Sequence, residues 1–322
     1  MNNAKRLGWS EYYGDTVINV EITNNGTAIY DAIPQDNANC YIYLCKFIEC
    51  IERGAIYITR AETSSLVEDC SFTGCKSFRE GGSVYFNAYF GEIIQSRNCY
   101  EKSVSTHSYM AYYQQGKAYD PMRNWAFDIS VSNCGVSESE GIGTYCHLHS
   151  EIRLKNNNIT NNKCNKWSSL HTSIEDAEGY CSFSTFRNNK QKESLSLDFG
   201  SYTVDPTKNY SINYCNVIRN KCGTDNNQVL LQCRFDSTIV NCVFLRNTAV
   251  IMFKVDESDC TMTIIDSCIQ SNSSTGSVSF IFENISHEIL LNCVTGSKVL
   301  TAKVSCFWPC AEFSISLLIK SN

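Results

Sequence analysis

One short element recurs about ten times along the chain: a small residue, an apolar residue two places on, and a second small residue three places after that. With small meaning Cys, Asn or Ser, it falls on Cys45-x-Phe47-x-x-Cys50, Cys70-x-Phe72-x-x-Cys75, Asn98-x-Tyr100-x-x-Ser103, Cys134-x-Val136-x-x-Ser139 and Asn157-x-Ile159-x-x-Asn162. It continues on Ser184-x-Phe186-x-x-Asn189, Cys215-x-Val217-x-x-Asn220, Cys242-x-Phe244-x-x-Asn247, Ser267-x-Ile269-x-x-Asn272 and Asn292-x-Val294-x-x-Ser297. The spacing is about 25 residues, stretched once to about 36 and once to about 31, within the range of solenoid repeats. A unit this small cannot bury its own apolar positions, so its neighbours must stack on it.

Strand-like runs flank most copies. Ser64-Ser65-Leu66-Val67 and Ser237-Thr238-Ile239-Val240 precede theirs, while Gly82-Ser83-Val84-Tyr85-Phe86 and Ala249-Val250-Ile251-Met252-Phe253 follow. None has the 3.6-residue periodicity of an amphipathic helix. Val240, Cys242 and Phe244 share one face, and Asn241 and Val243 the other. Strand, polar bend, strand and loop, repeated at this period, predict an all-β right-handed parallel β-helix of about ten coils. A sandwich or propeller would call for Asn-Gly or Asp-Gly hairpin turns, and only Asn25-Gly26 fits, outside the repeats. The leucine-rich pattern L-x-x-L-x-L is absent.

Inward small residues at the bends have a physical reason. A buried Asn amide bonds to its counterparts one rung up and down and to bend carbonyls, and Cys or Ser fills a similar volume. The expected structural ladder is Cys45, Cys50, Cys70, Cys75, Asn98, Cys134, Asn157, Asn162, Asn189, Cys215, Asn220, Cys242, Asn247, Asn272 and Asn292. Cys45 with Cys70, Cys50 with Cys75, and Cys215 with Cys242 fall in neighbouring rungs, and they are read as buried thiols rather than disulfides. Zinc calls for paired knuckles; Cys306-Phe307-Trp308-Pro309-Cys310 is a lone pair, so no metal or other cofactor is expected.

Residues 1–36 read as an N-terminal strand, Asp15 to Ile22, with Trp9, Tyr12 and Tyr13 as a cap over the open end of the coil. Residues 37–322 read as the β-helix itself. It stops after Ala311 to Ile319 where another element should come, as in a chain cut short. No signal peptide and no membrane span are read from the sequence. A net charge of −6, with no Lys/Arg run longer than a pair, gives no electrostatic case for nucleic acid.

Residues able to carry chemistry stand where the chain departs from the repeat. His147 and His149 are expected on one strand face, with His171 one rung on and Asp198 a rung further, an outward patch with the residue types for a metal or a proton shuttle. Glu175, Asp176 and Glu178 cluster in one loop, as do Asp256, Glu257 and Asp259, without recurring across rungs as a carbohydrate-active site would require. No catalytic residues are assigned. The two long insertions, 115–125 and 200–210, combine aromatics, Asp-Pro turns and a cation. Tyr119, Arg123, Trp125, Tyr202 and Tyr210 are their candidate ligand-binding residues, with outward Tyr57 and Tyr85 extending the surface.

Cys45-Lys46-Phe47-Ile48-Glu49-Cys50 with Gly54-Ala55-Ile56-Tyr57, and Cys70-Ser71-Phe72-Thr73-Gly74-Cys75 with Gly81-Gly82-Ser83-Val84-Tyr85, resemble the F-x-x-N and G-G-A-I motifs of chlamydial-type polymorphic outer membrane proteins. β-helix surface proteins of parasitic protists are similar. Cys stands here where Asn is usual, and the Phe-x-x-Asn form appears at Phe186 to Asn189 and Phe244 to Asn247. Good matches cover about four of ten rungs. The resemblance implies a β-helix displayed at a cell surface as an adhesin, binding a glycan or a host-cell protein, and it carries no catalytic residues. Two readings stand: a non-enzymatic adhesive or ligand-binding β-helix, and a pectate-lyase-like polysaccharide lyase or hydrolase. Ligand identity and oligomeric state are not legible.

Overall fold

The computed structural model describes residues 7–287, except 30–32, 36–38, 60–61, 79–80, 88–89, 117–121, 175–178, 194, 202–208, 224–227, 257–259 and 276–278. Each coil lays one strand into each of three parallel sheets, of eleven, ten and ten strands in the order first, third and second as the chain visits them. The rung holding Ser64–Glu68, Ser71–Thr73 and Val84–Asn87 is typical. Every strand-to-strand pairing among the described residues is parallel, as in Glu92↔Ser64 and Tyr100↔Phe72, and the coil is a right-handed parallel β-helix. The first rung already begins at Val20–Thr23, which pairs with Cys40–Tyr43.

The apolar residue of the repeat is the inward residue of the short second strand. Phe47, Phe72 and Tyr100 stack with ring centroids 5.0 and 4.6 Å apart and planes 3° from parallel. Parallel, in-register pairing sets this spacing, because identical positions recur every rung at about 4.8 Å. Cysteines fill much of the remaining interior: fifteen described cysteines are free thiols, all fifteen are buried, and most of them lie in the core of the coil.

A corner brackets each end of the second strand, and at both the residue before the small one is left-handed. Leu44, Asp69, Arg97, Asp128, Asn156, Phe183, Tyr214, Asn241 and Asp266 turn the first corner, and Glu49, Gly74, Lys102, Asn133, Asn161, Asn188, Arg219 and Arg246 the second. A non-glycine residue held there costs about 1 kcal/mol. The small residues clamp these corners. Asn98 Oδ1 accepts from the Cys70 N–H at 2.9 Å while its Nδ2 donates to Val67 O at 2.9 Å, bridging the corner of the preceding rung. Asn157 repeats the clamp on Ile129 and Ala126. At the second corner Asn162, Asn189, Asn220 and Asn247 form an unbroken column, each Oδ1 accepting from the small residue one rung before it, Cys134 first. Cysteine does less: Cys70 Sγ donates to Glu68 O and Ile42 O at 3.3 and 3.7 Å.

Two positions depart from the expected ladder. The fourth copy of the repeat lies five residues earlier than the template puts it, since Ile129-x-Val131-x-x-Cys134 is the rung and Cys134 occupies its second corner, while Val136 is exposed. An isoleucine in the small position hid it, and the 36-residue stretch was an artefact of that slip. Asn272 is exposed; the Asn247 N–H is taken instead by Gln270 Oε1 at 2.6 Å, because the longer side chain reaches back from two residues earlier. Asn292, the Cys306 to Cys310 loop and the expected C-terminal break lie outside the described residues.

The N-terminal aromatics lie on the flank of the first sheet rather than over its open end. Helix Trp9–Tyr13 packs Trp9 and Tyr13 on Tyr41, Leu66 and Ile94, outward residues of three successive rungs. Tyr13 donates to Ser65 O at 2.8 Å. Tyr13→Phe should therefore lower stability by about 1 kcal/mol, one buried hydrogen bond. An unchanged urea midpoint would mean that this contact holds nothing.

Candidate binding surfaces

His147 and His171 do not share a face. Strand alternation sends His147 into the coil and puts Cys146 in register with His171, which in turn pairs with Asp198. His149 sits past the strand end at a left-handed bend. The three histidines thus cannot converge on one ion, and among the described residues no group of His, Cys, Asp and Glu has metal-holding geometry.

Inside the coil His147 is part of a buried polar chain. Asn124 Nδ2 donates to Leu148 O, so its Oδ1 accepts, from Gln114 Nε2 and from His147 Nδ1, each at 2.7 Å. His147 Nε2 is left to accept from the Tyr112 hydroxyl at 2.9 Å. Gln95 Nε2 donates to Gln114 Oε1, and Tyr100 donates to Gln95 Oε1, closing the chain across the interior. Burial pushes His147 down to about 3, so it is neutral.

On the outer face of the third sheet, Cys146, His171 and Asp198 have the residue types of a thiol, imidazole and carboxylate relay. His171 Nδ1 lies 3.6 Å from Cys146 Sγ and Nε2 lies 3.9 Å from Asp198 Oδ2. Trp167 stacks on the imidazole at 3.9 Å, and the Tyr109 hydroxyl also meets Nδ1. Burial drives every member toward its neutral form: the Cys146 thiol is pushed up, His171 down to about 3 and Asp198 up to about 7. With Cys146 fully buried, this cluster offers no thiolate and no entry for a substrate. It is packing.

Of the insertion residues, Tyr119 and Tyr202 lie outside the described residues. Tyr210 is a core residue and not a ligand contact: it is fully buried against Phe199 and Phe235, in the room left by Gly179, whose added Cβ would stand 2.5 Å from the Tyr210 ring. Arg123 donates to Tyr12 O and holds the N-terminal helix. The Arg153 guanidinium lies 4.6 Å from the Trp125 ring centroid. Beside that pair, Glu151, Arg153, Gly179, Tyr180, Asn209 and Ser211 line a depression of about 280 Å³. Tyr57, Tyr85 and Tyr113 stack at 5.1 and 5.2 Å, so their ring faces are spent on one another.

The larger of the two open depressions lies elsewhere on the coil. At the second corner, Asn133, Asn161, Asn188 and Arg219 on one side and Gly135, Lys163 and Lys190 on the other line a groove of about 460 Å³ that crosses four rungs. The ladder places them. Each buried corner residue is flanked by a left-handed residue and by one that hydrogen-bonds to the preceding rung, and both flanking side chains leave the core. Asn188 Nδ2 donates to Asn161 Oδ1 at 3.1 Å, setting the amide row. Gly135 is required, since an added Cβ would lie 1.9 Å from Lys163 O. Past the groove the same columns continue in Lys221 and Arg246. Among the described residues, none of Lys163, Lys190, Lys221, Arg219 and Arg246 forms an ion pair. The signal was in the sequence as Asn161-Asn162-Lys163, Asn188-Asn189-Lys190 and Arg219-Asn220-Lys221.

The chain matches no family model, no curated protein and no solved structure to which it was compared. Its function is therefore argued from these surfaces.

Proposed function

We propose that this protein is a non-enzymatic β-helix that binds an extended ligand laid across successive rungs, as a surface or adhesin-like protein does. The observation that carries the reading is the second-corner groove, where chemically similar side chains repeat once per rung and so present one contact per repeat of a linear partner. The F-x-x-N and G-G-A-I resemblance to polymorphic outer membrane proteins supports display at a cell surface. No carboxylate is among the groove residues, so a catalytic acid and base pair of carboxylates has no residues there. Of the acidic loop clusters, Asp256 is tied to Lys254 and Arg234; Glu175, Asp176, Glu178, Glu257 and Asp259 lie outside the described residues.

Prolonged incubation of the protein with polygalacturonate separates this reading from the pectate-lyase-like one. No new reducing ends and no unsaturated product are expected. Steady product formation would overturn the non-enzymatic reading.

A further inference from the structure

We infer, resting on the reading of the second-corner groove as the binding site, that its ligand is a linear acidic polysaccharide. Lys163, Lys190 and Lys221 succeed one another on adjacent rungs, with Lys190 bridged to Lys163 and Lys221 in parallel register. Arg219 and Arg246 continue the neighbouring column. The cations thus recur at about the 4.8 Å rung spacing, close to the advance of one sugar along an extended chain. The amides of Asn133, Asn161 and Asn188 stand alongside as donors and acceptors for hydroxyls, which a sugar supplies at every repeat.

The charge balance sharpens the inference. The chain as a whole is acidic, at −6, yet these five cations have no ion-pair partner among the described residues. Like charges on successive rungs repel, and a polyanion relieves that repulsion while releasing counterions. Nucleic acid fits less well: the groove residues include no aromatic on which a base could stack. Duplex DNA carries a charge every 1.7 Å or so, denser than one cation column can match.

The test uses the whole chain on four immobilised polymers: dextran sulfate, polygalacturonate, neutral dextran and oligo-dT. Binding is compared with that of Lys163→Ala/Lys190→Ala/Arg219→Ala, whose substituted side chains all leave the core, with circular dichroism as the check on folding. Retention by an acidic polymer is expected, weakening steeply with added salt and at least tenfold weaker in the variant. Retention by only one acidic polymer supports the inference and names its acid group. Groove-dependent binding to neutral dextran at equal strength would overturn the acidic ligand while leaving the groove as the site. Acidic-polymer binding unchanged in the variant would overturn both. Groove-dependent binding of oligo-dT tighter than either acidic polymer would overturn the polysaccharide class.

Discussion

Replacing Asn189 with leucine is expected to lower the unfolding free energy by about 4 kcal/mol, the largest loss for any single ladder position. Asn189 is fully buried at the second corner of a central rung. Its Oδ1 accepts from the Asn162 N–H at 3.0 Å, and its Nδ2 donates to Ile159 O at 2.9 Å and contacts Ser169 Oγ and Asn220 Oδ1 at 3.2 Å. Leucine keeps the branched shape and removes every side-chain bond. Two buried backbone groups are then orphaned, at about 1 to 3 kcal/mol each. Asn272 is the internal control. It holds the same place in the repeat but is exposed, so Asn272→Ala should change stability by no more than about 0.5 kcal/mol. Urea midpoints of the two variants decide the matter, and equal effects would remove the amide column as a source of stability.

Acidification should destabilise the protein through the buried His147 and the largely covered His171. Burial holds His147 and His171 at about 3, against an ordinary 6.5. Between those values the unfolded chain binds two protons that the folded chain refuses, so this contribution is present above 6.5 and lost as pH falls toward 3. Asp198 works the other way. Raised to about 7 from 3.8, it is protonated when folded and ionised when unfolded, which favours the folded state at low pH and opposes one histidine. The net is one proton between about pH 3.8 and 6.5, a slope of about 1.4 kcal/mol per unit and about 3 kcal/mol between pH 6.5 and 4. His147→Gln removes one of the two histidine terms and should flatten the slope by that same amount. A pH profile of the unfolding free energy that is superimposable for the wild type and His147→Gln would show that His147 is not held neutral.

The fold was legible because parallel stacking writes each rung's needs at a fixed period. Phe47, Phe72, Phe186 and Phe244 mark the inward column, and the small residue on each side of them marks a corner. What failed did so locally. Ile129 satisfies the corner by volume without being small, so a template built on polarity slid past it to Cys134. Gln270 replaces Asn272 because reach, not position, decides which amide closes the corner. His147 and Cys146 were exchanged between faces by a one-residue error in register, which in a strand inverts every side chain. Tyr210 looked like a loop aromatic, since nothing near it in sequence reveals that Gly179, one rung away, makes room for its ring. The groove is hidden in the sequence for a different reason. Its residues flank the ladder, where the regularity of Asn162, Asn189 and Asn220 marks the buried partner more strongly than the cations beside it.

Lysine acetylation footprinting by mass spectrometry, with and without bound dextran sulfate, tests the central claim most directly. Lys163, Lys190 and Lys221 should lose reactivity on binding, while Lys155 on the first sheet and Lys254 on the third keep theirs. Protection of Lys155 or Lys254 with the three corner lysines still reactive would place the ligand elsewhere on the coil and contradict the account.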